Sequence, residues 1–259
     1  MALFQTGFVS YTMRRMVNIS VIVPTPLPGE GGDKQKSHKP AHPYPVLYLL
    51  HGYSGDGSVW QRFTSLERYA EERNIAVVTM SAENKFYANH PGDDRFYDFL
   101  AKELPDFVRG MFPISTRRED TYIAGLSMGG YGSLLHAFSH PQDFCAVGAF
   151  SSGLSETGIA GPADAVYADT RPDLYLMLKE YEGKMAELPK LYLSCGSDDG
   201  LLEANVKLKD QILAQGGQVA WEELPGYGHE WAFWDLQLDK FLNWIPRTDD
   251  YATAPRRHV

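Results

Sequence analysis

The feature that most constrains the fold of this chain is a series of short apolar runs separated by longer stretches of helical periodicity. A run that is apolar on both faces suits a strand covered by helices on each side, as in a parallel sheet. The runs lie at Val46–Leu50, Ile75–Met80, Thr121–Leu126, Ala146–Ser151 and Lys190–Cys195, with a last strand at Val219–Leu224. The series predicts an α/β fold with a central, mostly parallel sheet and helices on both faces.

Helical periodicity fills most of the spaces between these runs. Helices are expected at Val59–Glu72, Asp94–Gly110, Gly129–Ser139, Leu201–Gln215 and Trp231–Trp244. Ahead of the first run, two segments are rich in β-branched residues, which favour strands. These segments, Gly7–Thr12 and Met16–Val23, predict an antiparallel pair at one edge of the sheet.

Two segments interrupt the alternation without indicating a second domain. Residues 24–45 are rich in proline, glycine and lysine, a composition that predicts a long exposed loop. Residues 152–189 contain glycines and prolines where the alternation pauses, which predicts an inserted cap or lid. A chain of 259 residues with 44% hydrophobic content can bury one substantial core. We therefore expect residues 1–259 to form a single domain.

Charge and cysteine content narrow the classes of partner. The formal net charge is −9, and lysines and arginines form no block, so neither nucleic acid nor a membrane is an expected partner. The N-terminal residues lack the charged lead-in and apolar stretch of a secretory signal, which favours a cytoplasmic location. Cys145 and Cys195 each lie in an apolar run and are predicted to be buried thiols.

A possible nucleophile lies between a predicted strand and a predicted helix. Gly125-Leu126-Ser127-Met128-Gly129 fits the G-x-S-x-G pattern, in which a sharp turn between strand and helix exposes the serine hydroxyl. Small flanking residues are needed because side chains there would collide with neighbouring backbone. The turn also places the serine at a helix N-terminus, where backbone N–H groups can stabilise negative charge. Ser127 is therefore predicted to be a catalytic nucleophile.

A serine hydroxyl needs a base, and the order serine, acid, histidine predicts that base late in the chain. His229 follows the last predicted strand in a loop rich in glycine, so it is the expected base. Asp199 and Asp198 both follow the strand at Lys190–Cys195, and either could hold the imidazole in the correct tautomer. We choose Asp199, and we expect Asp198 to cap the helix that begins near Leu201.

Backbone amides are expected to stabilise the oxyanion. The N–H of Met128 should point into the site from the start of its helix, and the N–H of Tyr53 should do so from the loop after the strand at Val46–Leu50. His51, in the same loop, could act as a second base, although a histidine before a glycine turn more often fixes that turn by hydrogen bonding.

Aromatic residues near these positions are candidates for a substrate pocket, with the alternative that they pack in the core. Trp60 and Trp231 are the stronger candidates, followed by Phe86, Tyr87 and Trp234. Two histidines four residues apart, His136 and His140, have the spacing of a zinc pair. The glutamate that should follow the first histidine is absent, and the second precedes a proline at the helix end. The sequence therefore predicts no metal site.

Four segments together resemble the esterase D and tributyrin-esterase branch of the α/β hydrolases, related to feruloyl and carbohydrate esterases and to antigen 85. They are LLHGYSGDGSVW at 49–60, FPISTRREDTYIAGLSMGGYG at 112–132, CGSDDGLLEAN at 195–205 and GYGHEWAFWDLQLDKFLNWI at 226–245. The resemblance covers nearly the whole chain and implies an α/β-hydrolase fold. It places the nucleophile on Ser127, the acid on Asp199, the base on His229 and the oxyanion amides on Tyr53 and Met128.

The resemblance implies a serine carboxylesterase that acts on short acyl esters, with acetyl, butyryl and hydroxycinnamoyl groups as candidates. A thioesterase acting on S-formylglutathione is an alternative. A second alternative is a binding protein without activity, since scaffold and function are separable. The expected partner is a small-molecule ester, no metal or organic cofactor is required, and a homo-oligomer, either a dimer or a tetramer, is expected because relatives often form one.

Overall fold

One eight-stranded sheet runs through the computed structural model, which describes residues 1–25, 38–154 and 171–257. Its strands are β1 (Ala2–Ser10), β2 (Arg15–Val23), β3 (Val46–Leu50), β4 (Ala76–Met80), β5 (Thr121–Leu126), β6 (Ala146–Phe150), β7 (Lys190–Gly196) and β8 (Val219–Leu224). Their spatial order is β1-β2-β4-β3-β5-β6-β7-β8. From β4 to β8 in this order, each strand is parallel to the next.

The antiparallel pair predicted at one edge of the sheet is confirmed. β1 pairs with β2, and β2 joins the parallel part through antiparallel pairing with β4. β1 begins five residues before the predicted start, at Ala2 instead of Gly7. Its outward side chains are mostly exposed, so its hydrophobic pattern is weak and gives little indication of where the strand begins.

Helices cover both faces of the sheet, as predicted. They are α1 (Val59–Phe63), α2 (Leu66–Arg73), α3 (Phe96–Asp98), α4 (Leu104–Met111), α5 (Met128–Ser139), α6 (Leu174–Lys179), α7 (Leu202–Ala214) and α8 (Trp231–Trp244). The buried side chains form two clusters, one on each face. β3 shows the division, because Val46, Tyr48 and Leu50 belong to one cluster whereas Leu47 and Leu49 belong to the other. Burial on both faces accounts for the continuous apolar run.

The predicted helix over Val59–Glu72 is interrupted. Thr64 adopts an extended conformation between α1 and α2. Its hydroxyl accepts a hydrogen bond from the amide of Leu66 and donates one to the carbonyl of Trp60. A threonine side chain that bonds to nearby backbone in this way competes with the helical pattern.

The predicted helix over Asp94–Gly110 contains a π-helical turn, Phe99–Glu103, between α3 and α4. The buried carboxylate of Glu103 accepts hydrogen bonds from the hydroxyl of Ser10 and from the amides of Tyr11 and Thr12. These contacts fix the turn between β1 and β2. The irregular helix thus serves a contact that is distant in sequence.

Two sequence predictions fall partly outside the described residues. Of the loop predicted at 24–45, residues 26–37 are not described, and of the cap predicted at 152–189, residues 155–170 are not described. The described part of the second segment contains α6 and a 3₁₀ turn at Met185–Glu187. Both assignments, and the single-domain organisation, remain predictions. Among the described helices, none has the length and apolar composition needed to cross a membrane.

Backbone segments come unusually close where β5 meets α5. A Cβ atom added to Gly125 would lie 2.4 Å from the carbonyl carbon and oxygen of Gly129. A Cβ added to Gly129 would lie 2.4 Å from the carbonyl oxygen of Leu50, at the end of β3. Only glycine fits at these two positions, and their close contact holds the start of α5 against the sheet.

We expect Gly125→Ala to lower the free energy of unfolding by about 3 kcal/mol, or to prevent accumulation of folded protein, because the added methyl group meets rigid backbone. Gly110→Ala is the matched control, since a Cβ on Gly110, within α4, would meet no atom within 4 Å. It should raise the free energy of unfolding by about 0.5–1 kcal/mol. Urea denaturation measures both, and a Gly125→Ala protein as stable as the wild type would contradict this account.

Candidate active site

Ser127 lies in the sharp turn between β5 and α5. Its backbone has φ 54° and ψ −117°, a combination that non-glycine residues rarely adopt. Hydrogen bonds hold it there: its amide donates to the carbonyl of Phe150 at 2.8 Å, and its carbonyl accepts from the amides of Tyr131 and Gly153. The strained turn points the side chain out of the strand and helix that flank it, toward the loop after β8.

His229 reaches Ser127 from that loop. Its Nε2 lies 3.0 Å from Oγ of Ser127, and its Nδ1 lies 2.8 Å from Oδ2 of Asp199. The three residues follow β5, β7 and β8, and parallel strands end at the same edge of the sheet. The structure therefore brings together in one hydrogen-bonded line the three side chains that the sequence selected.

The surroundings of Asp199 keep its carboxylate ionised. Burial alone would raise its pKa, but hydrogen bonds from His229, from the amide of Leu201 and from the hydroxyl of Ser151 bring the pKa below its ordinary value. The anion requires that Nδ1 of His229 carry a proton, because a carboxylate only accepts hydrogen bonds. Nε2 is then left free to accept the proton of Ser127.

Asp198 has a different environment. It is exposed, and its carboxylate accepts a hydrogen bond from the hydroxyl of Ser197 at 2.8 Å. The prediction that it caps the following helix is wrong. The amide of Leu201 instead donates to Asp199, at 2.9 Å, so a single aspartate orients His229 and also holds the start of this helix.

The two segments expected to supply oxyanion amides adjoin Ser127. Met128 begins α5, and the first N–H groups of a helix have no acceptor within it. A Cβ added to Gly52 would lie 3.4 Å from Cβ of Ser127, so the loop that contains Tyr53 lies against the nucleophile. Tyr53 is partly buried, and its ring packs against Phe86 with centroids 6.3 Å apart.

His51 does not face the reacting groups. It is buried, its Nε2 accepts a hydrogen bond from the amide of Ala82 at 3.0 Å, and its Nδ1 donates to the carbonyl of Gly52 at 2.7 Å. Burial lowers the pKa of His51, which keeps the ring neutral. The histidine thus links the loop after β3 to the loop after β4, the structural role anticipated from its glycine neighbour.

The prediction that Trp60 lines a substrate pocket is wrong. The side chain is only 1% exposed, and its indole N–H donates to the carbonyl of Leu50 at 2.9 Å. Trp60 therefore packs in the core and holds the end of β3. Trp231 is partly buried and packs edge-on against Trp60 and Trp234. The ring of Trp234 in turn lies 4.9 Å from that of His229. A role for Trp231 in substrate binding remains a prediction.

The two histidines with zinc-like spacing serve packing instead. His136 is fully buried, and its Nε2 donates to the carbonyl of Tyr87 at 3.2 Å. Nε2 of His140 lies 2.9 Å from the hydroxyl of Tyr97, whose ring stacks on His136. Burial lowers the pKa of His136 to about 3. No group of three potential ligands for a metal ion occurs among the described residues.

Sequence reasoning did not identify Ser151 as part of the site. It follows β6 with φ 48°, it is fully buried, and its hydroxyl accepts a hydrogen bond from the indole of Trp234 at 3.3 Å and donates one to Asp199. Leu126 and Phe150 are partners in the sheet register, so the residues that follow them, Ser127 and Ser151, lie at the same level. The position of Ser151 directly after a predicted strand could have identified it, but only if the pairing of that strand with β5 had been known.

Proteins of known class resemble this chain along most of its length. A family model described as "Putative esterase" matches residues 35–245. An acetyl esterase of Caldicellulosiruptor saccharolyticus is 30% identical over 270 residues, which cover 96% of this chain and all of the relative. The fluorophosphonate-binding serine hydrolase F of Staphylococcus aureus has a TM-score of 0.82 and 28% identity, with 94% of this chain and 98% of that chain covered.

A second solved structure, the S-formylglutathione hydrolase of Staphylococcus aureus, has a TM-score of 0.81 and 27% identity, with 94% of this chain and 98% of that chain covered. These similarities confirm the predicted α/β-hydrolase fold and the resemblance to the esterase branch. They extend over the strands and loops that carry Ser127, Asp199 and His229.

A pair of adjacent variants tests the assignment of the aspartate. Asp199→Asn should slow covalent labelling of Ser127 by an organophosphonate about 10³- to 10⁴-fold, because the amide favours the wrong tautomer of His229. Asp198→Asn should label within about twofold of the wild-type rate, since the exposed Asp198 does not contact the histidine. Mass spectrometry of the labelled protein gives both rates. Equal rates for the two variants would disprove the assignment.

Proposed function

The chain belongs to this esterase family and is a carboxylic ester hydrolase, and on that premise we propose that Ser127, His229 and Asp199 hydrolyse esters of short acyl groups. The observation that carries the proposal is the hydrogen-bonded line from the serine hydroxyl through the imidazole to the buried carboxylate, with distances of 3.0 and 2.8 Å. Acyl transfer requires this arrangement, in which the imidazole can accept the hydroxyl proton while the carboxylate holds its other nitrogen.

In the first half of the reaction, Oγ of Ser127 attacks the ester carbonyl while Nε2 of His229 takes the hydroxyl proton. The tetrahedral intermediate places a negative charge on the former carbonyl oxygen, and the amides of Tyr53 and Met128 would donate hydrogen bonds to it. His229 then returns the proton to the oxygen of the departing alcohol. The products of this half are the alcohol and an acyl group bound to Ser127.

In the second half, water takes the place of the alcohol. Nε2 of His229 accepts a proton from water, the resulting hydroxide attacks the acyl carbonyl, and the same amides hold the second oxyanion. The proton returns to Oγ of Ser127 as the carboxylic acid leaves. Throughout, the low pKa of Asp199 keeps a negative charge beside the imidazolium, which stabilises the ion pair at each proton transfer.

Short carboxylic esters are the proposed substrates because a relative that matches this chain nearly end to end is named an acetyl esterase. A thioesterase acting on S-formylglutathione is the second candidate, favoured by the solved hydrolase of that name. We further propose a cytoplasmic location. Free thiols at Cys145 and Cys195 support it, since a reducing compartment preserves them.

A substrate comparison tests the proposed chemistry. Wild-type protein should hydrolyse 4-nitrophenyl acetate and butyrate with larger kcat/KM than S-formylglutathione. Ser127→Ala should lower kcat/KM for each ester by about 10⁴-fold or more, because the nucleophile is lost. A thioester preference of several orders of magnitude would instead establish the second candidate. An active Ser127→Ala protein would overturn the mechanism.

Activity should be lower in acid, because general-base catalysis needs a neutral imidazole to accept the proton of Ser127. Asp199 has a lowered pKa and stays ionised between about pH 5 and 8. The acid side of the plot of activity against pH should therefore show one titrating group. The measurement is kcat/KM for 4-nitrophenyl acetate between about pH 5 and 8, the range in which histidine ordinarily titrates. A constant rate across it would count against His229 as the base.

A further inference from the structure

Arg171 lies close to the loop that contains Tyr53, one of the two proposed donors to the oxyanion. The guanidinium carbon of Arg171 lies 4.0 Å from the ring centroid of Phe86 and 5.5 Å from that of Tyr131. Phe86 also packs against Tyr53, the residue whose amide faces the oxyanion in the proposed mechanism. The positive charge is therefore separated from the oxyanion loop by one aromatic ring.

The cavity beside Arg171 adjoins the backbone that holds the nucleophile. Arg171, Tyr131 and Gly153 are among the residues that line this cavity. The amide of Gly153 donates a hydrogen bond to the backbone carbonyl of Ser127 at 2.9 Å, so the cavity wall and the nucleophile are joined through backbone. The cavity has a volume of about 100 Å³, which suits the end of a small acyl group rather than a whole substrate.

The direction of proton transfer determines which part of the substrate lies here. His229 must protonate the departing alcohol, so the alcohol faces His229, on the side of β8. Phe86 follows β4, on the opposite side of β5 in the sheet order, and Arg171 stacks on it. The acyl substituent leaves the carbonyl carbon in the direction away from the alcohol, and therefore extends toward Phe86 and Arg171.

Arg171 retains hydrogen-bonding capacity in this position. Its face is used by the aromatic rings, but the N–H groups lie in the guanidinium plane and form a fork that matches a carboxylate. Within residues 1–25, 38–154 and 171–257, Arg171 forms no ion pair. Among the described residues, the acidic residue nearest to Arg171 along the chain is Asp173, which also lines the cavity. Its carboxylate accepts hydrogen bonds from the amides of Tyr175 and Leu176 and caps α6.

The aromatic platform beneath the arginine is held in a strained conformation. Phe86 and Tyr87 both have left-handed backbones, with φ of 53° and 57°. Two buried hydrogen bonds maintain the turn: the hydroxyl of Tyr87 donates to the carbonyl of His51 at 3.0 Å, and Nε2 of His136 donates to the carbonyl of Tyr87 at 3.2 Å. Strain of this kind occurs most often at functional sites. Here it fixes Phe86 between Tyr53 and Arg171.

We propose that Arg171 binds a terminal carboxylate on the acyl group, so that the enzyme prefers half-esters of short dicarboxylic acids over neutral acyl esters of the same length. This specificity rests on the proposed function, because it uses the same Ser127 acyl transfer. The net charge of −9 disfavours the approach of anions in general. A local guanidinium is therefore required for an anionic acyl group to bind.

The test compares monomethyl glutarate with methyl valerate, which share the methanol leaving group and acyl length and differ in the terminal charge. Wild-type protein should give the larger kcat/KM with monomethyl glutarate, mainly through a lower KM, and added salt should reduce the difference. Arg171→Met should lower the ratio of the two kcat/KM values about 10- to 100-fold, the loss expected for a hydrogen-bonded charge pair. Arg171→Lys, which keeps the charge but loses the fork, should lie between them.

Arg62→Met is the matched control. Arg62 also lies over an aromatic ring, that of Phe63 at 5.8 Å, but on the opposite flank of the site, near Trp231. The Arg62→Met substitution removes the same charge as Arg171→Met, and it should leave the ratio of the two kcat/KM values unchanged. Thermal unfolding establishes that each variant is folded.

The outcomes separate the two proposals. If wild-type protein hydrolyses 4-nitrophenyl acetate and Ser127→Ala does not, but the ratio is the same in wild type and Arg171→Met, the carboxylate subsite is overturned and the esterase mechanism stands. If Arg62→Met lowers the ratio as much as Arg171→Met, the effect is one of overall charge and the subsite is again overturned. If wild-type protein hydrolyses no ester, both proposals fail.

Discussion

The site depends on the contact between the start of α5 and the ends of two strands. Gly125 and Gly129 let these backbones approach at distances that exclude any side chain, and Ser127, between them, has a backbone with positive φ. That conformation is unfavourable by itself, and hydrogen bonds to Phe150, Tyr131 and Gly153 maintain it. The chemistry of the hydroxyl thus begins with packing of backbone against backbone.

Much of the fold was predictable because each apolar run consists of consecutive residues and can be recognised without knowing its partners in the fold. The strands at Val46–Leu50, Thr121–Leu126 and Val219–Leu224 have the predicted bounds. The first two are buried along their whole length, and glycines and a proline flank the third. The exceptions have causes that hydrophobic periodicity does not contain. The break at Thr64 comes from a hydroxyl that bonds to local backbone, and the π turn ending at Glu103 accompanies contacts with the distant hairpin of β1 and β2.

The site was predictable where chain order carries the information. Ser127, Asp199 and His229 each follow a strand, and the parallel arrangement brings such positions together. Side-chain burial was less predictable, because it depends on neighbours from other elements. Trp60 could have faced substrate or core, and only its hydrogen bond to Leu50 decides for the core.

One buried thiol lies directly against the charge system. Cys195 is the penultimate residue of β7 and lies beside Asp199, and burial raises the pKa of its thiol to about 12. Oxidants and alkylating reagents attack the thiolate, which is nearly absent at such a pKa. Such reagents should therefore react slowly with Cys195, although its sulfur atom lies beside the aspartate that orients His229.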